Sequence, residues 1–69
     1  MFAVYVKGVK YLLVGRKVHE KAVALHGSQA WAIKHAHVIC GSRIAGGLVV
    51  RGAVVTNTST GEVVYECKR

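Results

Sequence analysis

Sixty-nine residues, 52% of them hydrophobic and none proline, make one domain near the lower size limit for a self-sufficient core and exclude a disordered tail. Ten Lys and Arg stand against three acids (Glu20, Glu62 and Glu66), and the resulting net charge of +7 suits a polyanion, RNA or DNA first and an acidic protein surface second. Lys7 and Lys10 interrupt the apolar runs before any reaches the length of a signal h-region or a membrane span, so no membrane partner is expected. The expected location is the cytoplasm, where Cys40 and Cys67 stay reduced, although two cysteines also suffice for one bridge.

Phe2–Val6 and Val9–Val14 flank Lys7-Gly8 and read as a hairpin. Gly15-Arg16-Lys17 breaks the apolar run, Lys21–His26 reads as a third short strand, and Gly27-Ser28 closes it. Residues 29–40, QAWAIKHAHVIC, fit two templates. As a helix they would be capped by Ser28 and favoured by Ala30, Ala32 and Ala36. As a strand they alternate Trp31, Ile33, His35, His37 and Ile39 onto one face. Lys34 and His35 fall between Trp31 and Val38 on the stripe a helix would bury, which favours the strand.

Gly41–Gly47 reads as a loop whose three glycines can bring backbone N–H groups close to a ligand. Leu48–Thr56 is the strongest strand signal, Ser59-Thr60-Gly61 a turn, and Glu62–Cys67 the last strand. Strict alternation puts Val49, Arg51, Ala53 and Val55 on one face, and Leu48, Val50, Gly52 and Val54 on the other. Residues 1–69 thus read as a single all-β domain, a small antiparallel sheet or sandwich of five to six short strands. Its edges carry few guards, so pairing between copies is expected, and symmetry would turn each scattered cation into a ring of charge.

Val50–Glu62, VRGAVVTNTSTGE, is similar to the C-terminal strands of the trp RNA-binding attenuation protein family of bacilli. That family also has Val-Arg-Gly, an apolar run, a threonine and a Gly-Glu turn at this spacing. Upstream, Gly8-Val9 leads into an apolar strand, then Arg16, then Lys21 five residues on, in the same order as the family. The basic end, Cys67-Lys68-Arg69, is in keeping, and Gly8–Lys21 and Val50–Glu62 align without gaps. The resemblance implies all-β subunits joined edge to edge into a homo-oligomeric ring that binds single-stranded RNA around its rim, regulates transcription by attenuation and is activated by L-tryptophan held between subunits.

By position the resemblance implies RNA contacts at Lys21 and Arg51, while the family's second RNA lysine falls on Val49 here. The tryptophan pocket falls near Cys40, Ser42, Ala45 and Gly46, and only Ser42, with its hydroxyl, is carried over as a ligand-binding candidate. Arg16, Lys17, Lys34 and Arg43 are candidate supporting phosphate contacts. Arg51 has two readings: a planar guanidinium offered to a base, or a side chain that snorkels over valines to solvent.

On a strand, His35 and His37 would project to one side, as two zinc ligands need, with Cys40 at odd spacing from them. They are weak metal candidates beside the reading of surface or inter-subunit histidines. Trp31, the one tryptophan, reads as a core or interface anchor. Gly41–Gly47 lacks the Lys-Ser/Thr ending of a P-loop, and no nucleophile has a recognisable base partner, so an enzyme is not expected. The competing function is a small basic phage- or plasmid-type protein that binds and modulates an acidic host protein, with residues 28–40 as the helix of a β-β-α-β-β fold.

Overall fold

Strands carry most of this Val-rich chain. The computed structural model describes residues 1–10 and 17–69. In chain order these form β1 (Phe2–Lys10), β2 (Val18–His26), α1 (Gln29–Cys40), β3 (Ile44–Ala45), β4 (Leu48–Asn57) and β5 (Val63–Lys68). All pairings are antiparallel, in the order β2-β1-β4-β3, with β5 also on β4. β3 covers Leu48–Val49 and β5 covers Gly52–Thr56, so the two share the second edge of β4. No helix among the described residues is long and apolar enough to cross a membrane.

Three bulges curl this sheet. Val23 in β2, Arg51 in β4 and Val64 in β5 are each one residue more than the facing strand supplies. A bulge bends its strand and strengthens the local twist. It also moves the following residues to the other face, and the consequence in β4 corrects the strict alternation of Leu48–Val55. Leu48 and Val50 before the bulge share the core with Ala53 and Val55 after it.

The segment 29–40 is helical, which corrects the strand reading. Ser28 has extended backbone, and its Oγ accepts from the Trp31 N–H at 3.5 Å. At the other end Gly41 N–H donates to the His37 and Val38 carbonyls at 3.1 Å, and Ser42 Oγ donates to the Val38 carbonyl at 3.0 Å. The buried stripe consists of Ala32, Ala36 and Ile39, packed with Val4, Val6, Leu48, Val50, Ala53 and Val55. Alanines let the helix sit close to the sheet. Trp31 and Val38, expected on the buried stripe of a helix, are instead about three-fifths exposed.

Two glycine segments also differ from expectation. β1 runs straight through Lys7-Gly8, so the hairpin expected there is absent; Gly8 is required because a Cβ would overlap the Val49 carbonyl of β4. The Gly41–Gly47 loop contains β3 and a two-residue turn, with positive φ at both Gly46 and Gly47, as a tight hairpin into β4 demands. Tyr11–Val14 and Gly15-Arg16 lie outside the described residues.

Candidate nucleic-acid interface

The bulge decides where Arg51 goes. As the extra residue of β4 opposite Lys7 and Gly8, Arg51 is freed from the regular alternation and its side chain is exposed. Gly52 follows it because β5 comes close there: a Cβ would stand 2.5 Å from the Cys67 carbonyl oxygen. The Val-Arg-Gly sequence is therefore a local device. The arginine is lifted out of the ladder, and the glycine admits the neighbouring strand.

Arg43 and Arg69 join Arg51 around one open cleft of about 450 Å³, floored by the side chains of Ile44 and Val49, with the buried Val50 behind them. Backbone hydrogen bonds hold these segments together. Val50 N–H donates to the Arg43 carbonyl at 2.9 Å, and Arg69 N–H donates to the Arg51 carbonyl at 2.8 Å. The Arg69 guanidinium also donates to the Ser42 carbonyl. Just behind, Cys40 at the end of α1 and Cys67 at the end of β5 form a disulfide with 6.5 Å between their Cα atoms. That bond corrects the expectation of reduced thiols.

Electrostatically the cleft has one sign. Among the described residues the ion pair formed is Lys7–Glu20 at 3.9 Å, between β1 and β2, and no Asp or Glu side chain lines the cleft. Three planar guanidinium groups over an aliphatic floor can hold a phosphate by charge-assisted hydrogen bonds while a flat apolar group rests on Ile44 and Val49.

Of the other sequence candidates, Arg43 is gathered with Arg51, and the rest are not. Lys21 lies on β2, where its Nζ donates to the Gly46 carbonyl at 3.4 Å. Lys17 is exposed just before β2. Lys34 lies on α1 with its Nζ 4.9 Å from the centre of the Trp31 ring. Arg16 falls outside the described residues. Ser42 uses its hydroxyl to close α1 and its carbonyl to receive Arg69, so it frames the cleft as a backbone support. Val49, which stands where the resemblance has an RNA-binding lysine, forms apolar floor.

The metal reading of His35 and His37 depended on a strand, and the helix removes it. Two residues apart on a helix they point in different directions. His35 Nδ1 instead meets His26 Nε2 of β2 at 3.0 Å, and Cys40 is taken by the disulfide. No group of three or more potential ligands occurs among the described residues.

Arg69 was missed as a site residue by the sequence reading. The signal was present in the basic Cys67-Lys68-Arg69 run, but the pairing of β5 with the second edge of β4 is what brings that run beside Arg51 and Arg43. No protein-family model, no curated protein and no solved structure matches this chain.

Proposed function

We propose that the chain is a single-stranded-RNA-binding regulatory protein that grips the RNA backbone with Arg43, Arg51 and Arg69. The observation that carries this reading is the three-arginine cleft, with an apolar floor and no Asp or Glu side chain in its lining. A phosphate supplies the charge that the arginines lack, and an unstacked base suits the aliphatic floor, a combination that single strands offer and duplexes hide. The resemblance of Val50–Glu62 to the trp RNA-binding attenuation protein family adds the expectation that copies assemble into a ring; α1 is an addition to the all-strand subunit which that resemblance implies. Lys21 would contact RNA only as a neighbour on β2, outside the cleft.

Fluorescence anisotropy with a labelled purine-rich single strand tests the reading. Binding that is stronger than for the matching duplex, and that persists in excess polyglutamate, is the expected result. No binding at low salt, or complete displacement by polyglutamate, would refute it.

A second reading has its own observation. The helix over Gln29–Cys40 exposes Trp31, Lys34 and Val38 along one side, and it carries no acid in its first turn. An aromatic anchor beside a cation fits an acidic host protein, as the β-β-α-β-β alternative requires. Polyglutamate that binds the protein and shields Trp31 from quenchers, with RNA inert, would favour this second reading.

A further inference from the structure

Two of the three arginines reach the cleft by different means. Arg43 is anchored by its own hairpin, through the Val50 N–H bond to its carbonyl and the pairing of Ile44 and Ala45 with β4. Arg69 lies one residue past β5, its backbone held on β4 by the Arg51 bond and the Lys68–Gly52 pairing, and its guanidinium held separately on the Ser42 carbonyl. The covalent tie that keeps those partners together is the disulfide. Cys67 is two residues before Arg69, and Cys40 is two residues before Ser42. Both cysteines are only half-buried, so a small reductant can reach them.

We infer that Cys40–Cys67 is a redox clasp on the arginine cleft, which binds RNA tightly when the disulfide is closed and weakly when it is open. This inference rests on the reading of the cleft as an RNA site. The opening step is thiol–disulfide exchange with a dithiol reductant. One reductant thiolate attacks a cysteine sulfur and breaks the S–S bond, giving a mixed disulfide. The second thiolate then displaces the first cysteine. Two electrons and two protons pass to Cys40 and Cys67 as thiols, and the reductant leaves as its own disulfide. The Ser42 segment is then free to part from β5, and the Arg69 guanidinium loses its rest on the Ser42 carbonyl while the Arg69 backbone stays on β4.

The test is an anisotropy titration of the whole chain with a short labelled purine-rich RNA, before and after dithiothreitol, with circular dichroism on both samples. Reduction should weaken binding by about tenfold, within the usual span for coupled sites. Arg69→Ala should bind weakly in both states and show no redox dependence. Equal affinity of the oxidised and reduced wild-type chain overturns the clasp and leaves the RNA reading standing. A redox dependence that persists in Arg69→Ala, or reduced protein that has lost its sheet signal, also overturns the clasp, because general unfolding then explains the loss. Failure of both redox states to bind RNA overturns the RNA reading itself.

Discussion

Arg51→Ala is the sharpest perturbation of the cleft, because the side chain is exposed and its backbone is held independently. The carbonyl of residue 51 still receives the Arg69 N–H, and the bulge is backbone geometry, so stability should change by less than about 0.5 kcal/mol. Affinity should not be spared. A charge-assisted hydrogen bond is worth about 1.5–3 kcal/mol, which corresponds to a loss of about 10- to 150-fold. Salt provides a second, independent magnitude. If each arginine neutralises one phosphate, the single-strand relation gives a log–log slope of about −2.1 for three contacts and about −1.4 for two. Between about 50 and about 200 mM salt the wild type should then lose about 20-fold in affinity, and the variant about sevenfold. Arg51→Lys should retain the wild-type slope while losing the forked geometry, and so part of the affinity. The assay is anisotropy across the salt series, with thermal unfolding of each variant alongside. An unchanged slope and affinity in Arg51→Ala, or a loss matched by a fall in melting temperature, would refute the reasoning.

Other changes test the frame around the cleft. Gly52→Ala places a Cβ within 2.5 Å of the Cys67 carbonyl, so β5 must move; the expected cost is about 1–3 kcal/mol, read as a lowered urea midpoint, and an unaffected midpoint would mean β5 does not approach so closely. Ser28→Ala removes the cap of α1 and should cost about 0.5–1 kcal/mol, the lower part of the capping range because the bond is long at 3.5 Å. Trp31, 61% exposed and the chain's one tryptophan, should be quenched by acrylamide almost as freely as in the unfolded chain; strong protection would mean that the helix face is covered.

The strands were legible where β-branched residues run between turn signals, and β4 and β5 fall within a residue or so of the reading. The helix was not, for a reason visible in its packing. Its core stripe is Ala32, Ala36 and Ile39, two of them the smallest apolar side chain, whereas the bulky Trp31 and Val38 face outward. A hydrophobic pattern weighs bulk, and here bulk is on the wrong side. The capping Ser28 and the alanines carried the better signal. Strict alternation failed in β4 because a bulge leaves no compositional mark beyond a glycine, and the same bulge exposes Arg51. Arg51 could be picked out by its place in the Val-Arg-Gly resemblance, and Arg43 by its charge. Their convergence with Arg69 depends on β5 taking the edge of β4 beside β3, a long-range pairing that a single sequence does not specify, and the disulfide that ties β5 to α1 is no more legible.

The remaining expectation, assembly through strand edges, leads to a prediction about charge. Among the described residues β2 pairs only with β1, and β5 only with β4, so each offers an unpaired edge. The two edges differ in sign: β2 and the residue before it carry Lys17 and Lys21 with Glu20, whereas β5 and the residue before it carry Glu62 and Glu66 with Lys68. Two copies joined β2 to β2 would set lysines together, and two joined β5 to β5 would set glutamates together. Joining β2 of one copy to β5 of the next relieves both. Such a contact is heterologous, and it makes a closed ring when the rotation closes and a filament when it does not. The carboxylate of Glu66 thus has a directional role in the proposed assembly, and Glu66→Lys should prevent it while leaving the isolated subunit folded, since Glu66 is exposed and pairs only through its backbone. Light scattering after size exclusion reads the outcome. A wild-type mass of several subunits that falls to one in Glu66→Lys supports the β2-to-β5 contact. A wild-type monomer removes the ring, and an assembly indifferent to Glu66→Lys means that the subunits meet through some other surface, with the exposed face of α1 the first to examine.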